Sequence, residues 1–524
     1  MKKSILLFVY LFTGFSLFSQ QLIWSEPYGG SQFDMFENLQ KINGVYYHTG
    51  TTNSVDGHTG QNNGAMDAWV MVLNAAGDSV LSFTFGGSDN DYAKDIIEAR
   101  NGLTLITGYT ASGDGDFSGV SSYGTVDGFA YLIDSSGNAV YKEKFGGSTD
   151  DRLSGVIKTF YKGFLFLGMS SSSDGLLQVN NGNMDAWALR LDSSLNLVWS
   201  QAYGGTGNDH YVDGYGTDDG GFILAGNTRS ETFSKHPDAP YTDGSNCFLQ
   251  KLNSLGQQLW YINLGGSEDE FLSGVLPLND GHFLAYGSTA SNDKDIHGNH
   301  GEMDGYVIKF NENGDTLWTR CIGWNSSDVL QEVIEYKDNH FIGILMTVDS
   351  TNVNNYGKSD LCLITFDSVG TQLLGHYGGS GEDGNDGMSI TNHTSMHLDE
   401  ANGELHIGSI SMSHDHDLDT NLGTIDAWAF AIDISPLFVG ANLISETEFE
   451  LYPNPSSGLV NLKLKQPDGK PFLVEIFTAD GKKIKKFHSQ QTASRIDMKD
   501  MKSGLYFIRI TTNQGKGVKR FLVF

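Results

Sequence analysis

A glycine turn followed by an acidic residue recurs seven times along this chain. The turn glycines stand 55 to 61 residues apart, at Gly29, Gly86, Gly146, Gly204, Gly265, Gly323 and Gly378. A period of this size indicates a repeat architecture, in which each repeat is one supersecondary unit that packs on its neighbours. The repeats therefore constrain the fold more strongly than any single motif.

Each repeat carries the signals of four short strands. In the second repeat we predict strands at 91–99, 103–110, 127–134 and 139–145, which are rich in aromatic and β-branched residues. Asn101-Gly102 between the first two strands suits a two-residue hairpin. Four-stranded antiparallel units of this length predict an all-β fold, a β-propeller with one extended loop in each blade.

The two ends of the repeat region complement each other. Residues 21–28, with Trp24, match the fourth strand of later repeats, where Trp199, Trp260 and Trp318 stand equally far from their glycines. The seventh repeat stops after its third strand at 426–433 and runs into Pro436. We therefore predict a seven-bladed propeller over residues 20–435, whose last blade is completed by the N-terminal strand, leaving no free sheet edge at the seam.

The N-terminus and the cysteines bear on the compartment. Residues 1–19 combine Lys2 and Lys3 with an apolar run and Ser19, a pattern typical of a signal peptide. No later run reaches the roughly 18 apolar residues of a membrane span. We therefore expect a secreted or cell-surface protein without membrane insertion. Cys247, Cys321 and Cys362 fall in strands of different repeats, so they are predicted to be small core residues rather than disulfides.

The charge is divided unevenly along the chain. The whole sequence has a net charge of −30, composed of +6 from Ser445 onward and −36 before it. So acidic a propeller repels nucleic acid and attracts cations or basic partners. A solvated surface accounts for most of these charges without any ligand.

The C-terminal residues carry a specific set of landmarks. After a linker at 436–448, residues 449–524 contain, in order, Tyr452, Pro453, Asn454, Pro455, Asp480, Gly481, Lys482, Gly504 and Tyr506, among alternating apolar strands. This segment closely resembles the type A sorting domain of the type IX secretion system of Bacteroidetes. The resemblance implies a small β-sandwich that is recognised by the secretion machinery and removed during export. The alternative is an accessory immunoglobulin-like module that stays attached.

The repeats themselves, with Gly-Gly-Ser turns and Asp-Ala-Trp third strands, are similar to glycine-rich β-propeller repeats of secreted bacterial proteins. This resemblance covers residues 20–435 and implies a scaffold more than an activity.

One acidic position follows the glycine turn in all seven repeats. Its members are Asp34, Asp91, Asp151, Asp209, Glu270, Asp328 and Asp383. The topology places them on the face of the long loops, near the mouth of the channel. A carboxylate here can accept backbone N–H groups and fix its turn, which is the favoured interpretation. The other interpretation is a functional acidic ring around the channel mouth.

A pair of aspartates eleven residues apart brackets the long loop in six repeats, with a glycine three residues before the second. The pairs are Asp56 and Asp67, Asp116 and Asp127, Asp174 and Asp185, Asp293 and Asp304, Asp349 and Asp360, and Asp415 and Asp426. Asp295 and Asp417 add further oxygens, and the fourth repeat has Lys235 and Asn246 instead. This spacing suggests calcium or another hard cation. The alternative is that the first aspartate starts a turn while the second anchors strand three.

Histidines gather in the last repeats, at His297, His300, His393, His397, His406, His414 and His416. They could ligate zinc, but no tight ligand spacing is present, so surface histidines in polar loops are favoured. One aromatic residue on the third strand of six repeats is expected to pack between blades. These residues are Trp69, Phe129, Trp187, Phe248, Tyr306 and Trp428. Loop aromatics are the better candidates for stacking on sugars: Tyr123, Phe233, Tyr241, Trp324 and Tyr356.

Enzyme signatures are mostly absent from the sequence. There is no G-x-S-x-G elbow, and Asn352 replaces the leading glycine that a phosphate-binding loop would need before Gly357-Lys358-Ser359. Two hypotheses follow. The first is a non-enzymatic propeller that binds an extracellular glycan or protein through its acidic loop face. The second is a secreted polysaccharide hydrolase or lyase on the same scaffold, which needs an asymmetric set of carboxylates with shifted pKa values.

Overall fold

The computed structural model describes residues 21–100, 102–177, 179–230, 244–348, 358–379, 381, 383, 394–418, 422–438, 449–452, 459–464, 472–478, 483–489, 493–497, 501–502, 504–512 and 515–523. The predicted signal peptide and most of the predicted linker lie outside these residues. The chain divides into two units, one formed by Leu22–Asp399 with Leu405–Ile432 and a second that contains the C-terminal strands.

The larger unit consists of four-stranded antiparallel sheets, each in chain order except the last. The first four sheets are β2 Asp34–Ile42, β3 Val45–Thr52, β4 Asp67–Leu73 and β5 Ser79–Phe85; β6 Asp91–Glu98, β7 Thr104–Thr110, β8 Asp127–Ile133 and β9 Ala139–Phe145; β10 Asp151–Lys158, β11 Phe164–Ser170, β12 Asp185–Leu191 and β13 Leu197–Tyr203; and β14 Asp209–Gly216, β15 Phe222–Thr228, β16 Asn246–Leu252 and β17 Gln258–Leu264.

Three further sheets complete the unit. They are β18 Glu270–Pro277, β19 Phe283–Thr289, β20 Asp304–Phe310 and β21 Thr316–Ile322; β22 Asp328–Lys337, β23 His340–Thr347, β24 Asp360–Phe366 and β25 Thr371–Tyr377; and β26 Ser395–Asp399, β27 Glu404–Ser411, β28 Asp426–Asp433 and β1 Gln21–Tyr28. The predicted all-β fold of four-stranded antiparallel sheets is confirmed. The N-terminal strand pairs with the last strand of the seventh repeat, as its sequence pattern predicts.

Third strands are buried along nearly their whole length, because both of their faces pack on neighbouring sheets. All seven residues of β4 are buried, as are all seven of β8. One core cluster joins Val70 and Phe85 of the first sheet to Ile106 and Tyr131 of the second. The predicted packing role of the third-strand aromatics is confirmed, since each is at most 1 % exposed. Cys247, Cys321 and Cys362 are buried, as predicted.

Each sheet is bonded to the next by the same backbone contact. Each turn acid donates its N–H to the carbonyl of the residue just before the third strand of the preceding sheet. The seven bonds are Asp91 to Met66, Asp151 to Val126, Asp209 to Met184, Glu270 to Ser245, Asp328 to Met303, Asp383 to Ser359 and Asp34 to Ile425, at 2.7 to 3.1 Å. The last bond joins the seventh sheet to the first, so the linkage is cyclic.

The C-terminal strands form two antiparallel sheets. Their strands are β29 Phe449–Tyr452, β30 Leu459–Leu464 and β33 Ala493–Asp497 in one sheet, and β31 Phe472–Thr478, β32 Lys483–Ser489, β34 Gly504–Thr512 and β35 Gly515–Val523 in the other. Both sheets contribute to one buried cluster, with Val460 and Ile496 from the first and Val474 and Ile508 from the second.

Candidate functional site

The repeated turn acids are fully buried. Asp34 accepts the N–H of Gly30 at 2.7 Å and hydrogen bonds from the hydroxyls of Thr52 and Ser54. The same backbone bond, from the residue four positions earlier, reaches Asp91, Asp151, Asp209, Glu270, Asp328 and Asp383 at 2.6 to 2.8 Å. These acids therefore fix the turns, and their side chains are not exposed as a ring at a channel mouth.

The turn glycine lies between two buried carboxylates of neighbouring repeats. A Cβ atom on Gly86 would lie 2.5 Å from Oδ2 of Asp91 and 2.7 Å from Oδ1 of Asp67. These distances are far shorter than van der Waals contact, so only glycine fits. Corresponding acids flank Gly146, Gly204, Gly323 and Gly378, whereas Gly265 lies between the amide of Asn246 and the carboxylate of Glu270. The turn glycine, the turn acid and the aspartate that opens the third strand, which recur separately in the sequence, thus meet in one contact.

The two members of a predicted loop pair contact different parts of the molecule. Asp56 accepts the N–H of Ser31 at 2.7 Å, whereas Asp67 accepts the N–H of Asn63 at 2.7 Å. The carboxylate that Asp67 faces across the glycine is Asp91 of the next repeat. Burial, and to a smaller extent the charge of Asp91, raises the pKa of Asp67 to about 6.

The remaining pair members follow this division. Among the first members, Asp174 and Asp293 accept the N–H groups of Ser148 and Ser267, and Asp415 lies against Gly379. Second members accept N–H groups from their own loop, as seen for Asp127, Asp185, Asp304 and Asp426. Asp360 lies 2.9 Å from Nε2 of His376. The backbone carbonyl of Asp295 accepts a hydrogen bond from Tyr306, and Asp349 lies outside the described residues.

One pair was assigned wrongly in the second repeat. Asp114, rather than Asp116, accepts the N–H of Ser88 at 2.7 Å, the bond that Asp56 makes in the first repeat. Asp116 instead accepts the N–H of Gly86 at 3.1 Å, and Asp417 makes the equivalent bond to Gly378 at 3.0 Å. The second loop is two residues longer and contains the short 3-10 helix Gly115–Phe117, so a fixed spacing of eleven selects the wrong aspartate.

No group of three or more His, Cys, Asp or Glu side chains is placed to hold a metal ion in the part of the chain that the structure describes. The loop carboxylates accept backbone N–H groups, and the two members of a pair lie in different surroundings. Calcium therefore stays a prediction of the sequence.

The histidines of the seventh repeat differ from their predicted setting. His406 on β27 is 2 % exposed, with its ring stacked 3.8 Å from that of Tyr46 on β3. Burial lowers the pKa of His397 to about 4. The interpretation as surface histidines is wrong for His406, because β27 turns its side chain into the interface between the seventh and first sheets. His393 lies outside the described residues.

A cavity of about 1000 Å³ is lined by residues of the first strands of all seven sheets. The first strands from β2 to β22 carry a β-bulge three residues after the turn acid. A bulge re-aims the side chains beside it and leaves backbone groups unpaired. The residues directly after the bulges line this cavity in five of the six strands, and the sequence alone did not identify them.

These post-bulge residues alternate in type around the sheets. In order they are Asn38, Asp95, Gly155, Asp213, Gly274 and Glu332. Acids stand on the second, fourth and sixth sheets, and smaller or neutral residues stand between them. Aligning each repeat with the second repeat after it would reveal this alternation, because acids then align with acids. Aligning each repeat with its immediate neighbour hides it.

Two of these acids join neighbouring sheets. Asp95 accepts the N–H of Val156, just after Gly155, at 2.7 Å and the amide of Asn38 at 2.9 Å. Asp213 accepts the N–H of Val275 at 2.9 Å. Each carboxylate thus satisfies an N–H group freed by the bulge of the next sheet. Burial raises the pKa of Asp95 to about 7 and that of Asp213 to about 6.

Glu332 has a different environment. Its Oε1 accepts the hydroxyl of Tyr286 at 3.0 Å, and burial raises its pKa to about 8, with a smaller contribution from the charge of Asp213. Tyr286 reaches it through the space left by Gly274, where a Cβ would lie 2.3 Å from the tyrosine oxygen. Among the described residues, Asp95 and Asp213 bond to backbone N–H groups of the next sheet and not to a tyrosine hydroxyl.

Non-repeating side chains also follow the turn acids on the first strands. They are Met35, Tyr92, Arg152, His210, Phe271 and Val329. Tyr92 stacks on Tyr109 of β7 with ring centroids 4.7 Å apart, and the guanidinium carbon of Arg152 lies 5.3 Å from the Tyr109 centroid. Burial, with a contribution from Arg229, lowers the pKa of His210 to about 4.

Of the predicted loop aromatics, Tyr123 is 41 % exposed and Trp324 is partly buried, whereas Phe233, Tyr241 and Tyr356 lie outside the described residues.

The landmarks of the C-terminal segment are partly described. Tyr452 is exposed, and the hydroxyl of the buried Tyr506 donates to the carbonyl of Lys502 at 2.7 Å. Gly504 opens β34. Pro453, Asn454, Pro455, Asp480, Gly481 and Lys482 lie outside the described residues.

Residues 450–524 match the family model of the secretion system C-terminal sorting domain. The predicted type IX sorting domain is therefore confirmed, and the chain is exported to the cell surface or the extracellular space. No helix among the described residues is long and apolar enough to cross a membrane. No curated protein sequence matches the chain.

Several solved structures share a weak likeness. An ulvan lyase of polysaccharide lyase family PL25 bound to GlcA(1-4)Rha3S is 10 % identical with a TM-score of 0.42, over 79 % of this chain and 94 % of that one. A GH93 α-L-arabinofuranosidase of Fusarium graminearum with arabinobiose is 8 % identical with a TM-score of 0.37, over 80 % and 98 %. A puromycin hydrolase is 10 % identical with a TM-score of 0.35, over 74 % and 61 %. At these scores the likenesses carry no argument about function.

Proposed function

Because the chain carries a sorting domain for export, we propose that residues 20–435 work outside the cell as a closed seven-bladed β-propeller that binds a glycan. Seven sheets joined in a cycle by one repeated backbone bond support the ring. Pairing of β1 with β28 supports closure by the N-terminal strand. The two C-terminal sheets around one buried cluster support a β-sandwich for the sorting domain.

The observation that carries the binding function is the loss of repetition at one position. The turn acid, the turn glycine and the third-strand aspartate recur because they hold the sheets together. The next residue along each first strand changes from repeat to repeat, and on four successive sheets it is Tyr92, Arg152, His210 and Phe271, all partly exposed. Aromatic rings beside directional hydrogen-bond donors are the usual lining of a ligand site. We name these four residues the mouth cluster.

A glycan fits the mouth cluster better than a flat protein surface does. The cluster lies at the end of first strands whose inner residues line a cavity of about 1000 Å³, a size that suits a small ligand. Aromatic faces accept the apolar face of a sugar ring, while Arg152 and His210 can bond its hydroxyls. The acidic loops around the cluster remain available for cations or basic partners.

The test is binding of the purified protein to an array of extracellular polysaccharides, followed by calorimetry with the best oligosaccharide. We expect a glycan whose affinity falls at least about tenfold in Phe271→Ala, the loss of one buried aromatic contact. Val80→Ala, on the outer strand β5, should bind like the wild type. Absence of binding to every glycan, in a protein shown to be folded, would contradict the function.

A polysaccharide hydrolase or lyase is the second candidate, and Glu332 is the observation that favours it. A carboxyl group with a pKa of about 8 in a cavity is protonated at neutral pH and can act as a general acid. Release of reducing ends or unsaturated sugars from a bound glycan, lost in Glu332→Gln without loss of binding, would establish it. Binding of a glycan without any cleavage of it would contradict the enzyme and leave the glycan-binding function.

Calcium remains a separate proposal from the aspartate spacing. A calcium-dependent rise of the melting midpoint after chelation, reduced in Asp293→Asn, would support a cation in that loop. An unchanged midpoint would contradict the binding of calcium.

A further inference from the structure

The mouth cluster contains a guanidinium group with unused hydrogen-bonding capacity. Nε of Arg152 is buried without a hydrogen-bond partner, and the polar contact of the group is a long one, 3.3 Å from Nη2 to Oδ2 of Asp150. The Arg152 side chain is 35 % exposed. An arginine that serves only to hold the fold normally donates to carbonyl oxygens, as Arg320 does to Asp367 and Gly370 at 2.8 Å.

Tyrosine rings orient this guanidinium. Its carbon lies 5.3 Å from the centroid of Tyr109, which in turn stacks on Tyr92 at 4.7 Å with an angle of 29° between the rings. Contact with an aromatic face holds a planar guanidinium while leaving the N–H groups at its edge free to donate. The side chain is thus pre-organised for a planar ligand group, which lowers the entropy lost on binding.

The charges close to Arg152 matter more for a ligand than the net charge of the acidic repeat region, because salt screens exposed charges beyond about 8 Å at physiological ionic strength. Nη2 of Arg152 lies 3.3 Å from Oδ2 of Asp150, and Lys94, beside the same tyrosines, is paired with Glu37. Each of these two cations thus faces one carboxylate. An anionic ligand would use the N–H groups of Arg152 that Asp150 does not occupy.

From these contacts we propose that Arg152, which lies over the ring of Tyr109, is the binding site for the carboxylate of an acidic sugar residue. A carboxylate accepts two parallel hydrogen bonds from the edge of one guanidinium, a geometry that lysine cannot reproduce. The ring of the same sugar can lie on the exposed part of the tyrosine pair. This inference rests on the proposed glycan-binding function and specifies its ligand as a uronate-containing glycan.

The test compares two ligands that differ in one group. The probes are a neutral oligosaccharide capped by a single glucuronate and the same compound with its carboxyl reduced to hydroxymethyl, each titrated calorimetrically into the purified protein. Wild type should bind the carboxylated probe about tenfold or more tightly than the reduced one, the effect of a charge-assisted hydrogen bond. Arg152→Gln should remove this difference, and Arg152→Lys should restore only part of it.

A matched control is available in Arg190. Its guanidinium carbon lies 5.9 Å from the ring centroid of Phe222, so Arg190→Gln deletes the same charge and the same kind of aromatic contact away from the mouth cluster. It should keep the preference for the carboxylated probe. Equal affinity of wild type for both probes would overturn the inference and leave glycan binding standing. Binding of neither probe, together with an empty glycan array, would instead count against the proposed function.

Discussion

At the scale of single residues, the most repeated amino acids of this chain hold the sheets together. The turn glycine, the turn acid and the third-strand aspartate meet at one point between neighbouring sheets, as at Gly86, Asp91 and Asp67. Both carboxylates are fully buried there. A repeated acid in such a chain is therefore evidence of a joint between sheets before it is evidence of a ligand site.

Gly86→Ala tests this joint. The new methyl group would lie 2.5 Å from an oxygen of Asp91, so we expect a loss of stability of about 1–3 kcal/mol from overpacking. Gly113→Ala in the same repeat is the matched control, because no atom lies within 4 Å of its Cβ position. Midpoints of denaturant unfolding measure both variants. Equal stability of the two would show that the carboxylates can move aside at no cost.

The sequence predicted the residues that occur once in every repeat and missed those that do not. Asp34 and its equivalents could be found because each repeat carries one. Asp95 and Asp213 occupy alternate sheets, and each accepts a backbone N–H beside the bulge of the following sheet, which no local pattern reveals. The contact of Asp67 with Asp91 was missed because it crosses between repeats, whereas the eleven-residue spacing suggested a partner within the loop.

At the scale of strands, β1 completes a sheet whose other members lie at the far end of the repeats. The indole of Trp428 on β28 donates to Ser25 of β1 at 2.8 Å, and the indole of Trp24 donates to Ala75 in the first repeat at 3.0 Å. One short strand thus contacts both the last and the first repeat. The sequence predicted this pairing because Trp24 stands at the distance from its glycine that the later fourth strands share.

Removal of residues 21–28 should lower the melting midpoint by several degrees and promote association, because β28 is left with an unpaired edge. A synthetic peptide of sequence QLIWSEPY should restore the midpoint by adding the missing strand, whereas a scrambled peptide should not. Calorimetric melts with and without peptide make the comparison. If the shortened chain melts like the original, β1 contributes nothing to closure.

At the scale of the whole molecule, the C-terminal domain carries the signal for export, and the glycan binding proposed above belongs to the repeats. Truncation before residue 450 should leave the protein in the periplasm, because the segment that matches the sorting domain is gone. Immunoblots of periplasm, cell surface and medium measure the distribution. The full chain with Arg152→Gln should be exported normally, and normal export of the truncated chain would refute the role of the domain.

The joining of β1 to β28 also sets an order of events in time. The hydroxyl of Ser25 bonds to the carbonyl of Asp417, 392 residues later, so the N-terminal strand of the repeat region must wait for the end of that region. Closing so long a loop is entropically costly and slow. Until β1 pairs with β28, the edge of β28 can pair with a strand of another chain that is also not yet closed. A newly made chain is therefore most vulnerable to swapped or aggregated partners in the interval before β1 meets β28.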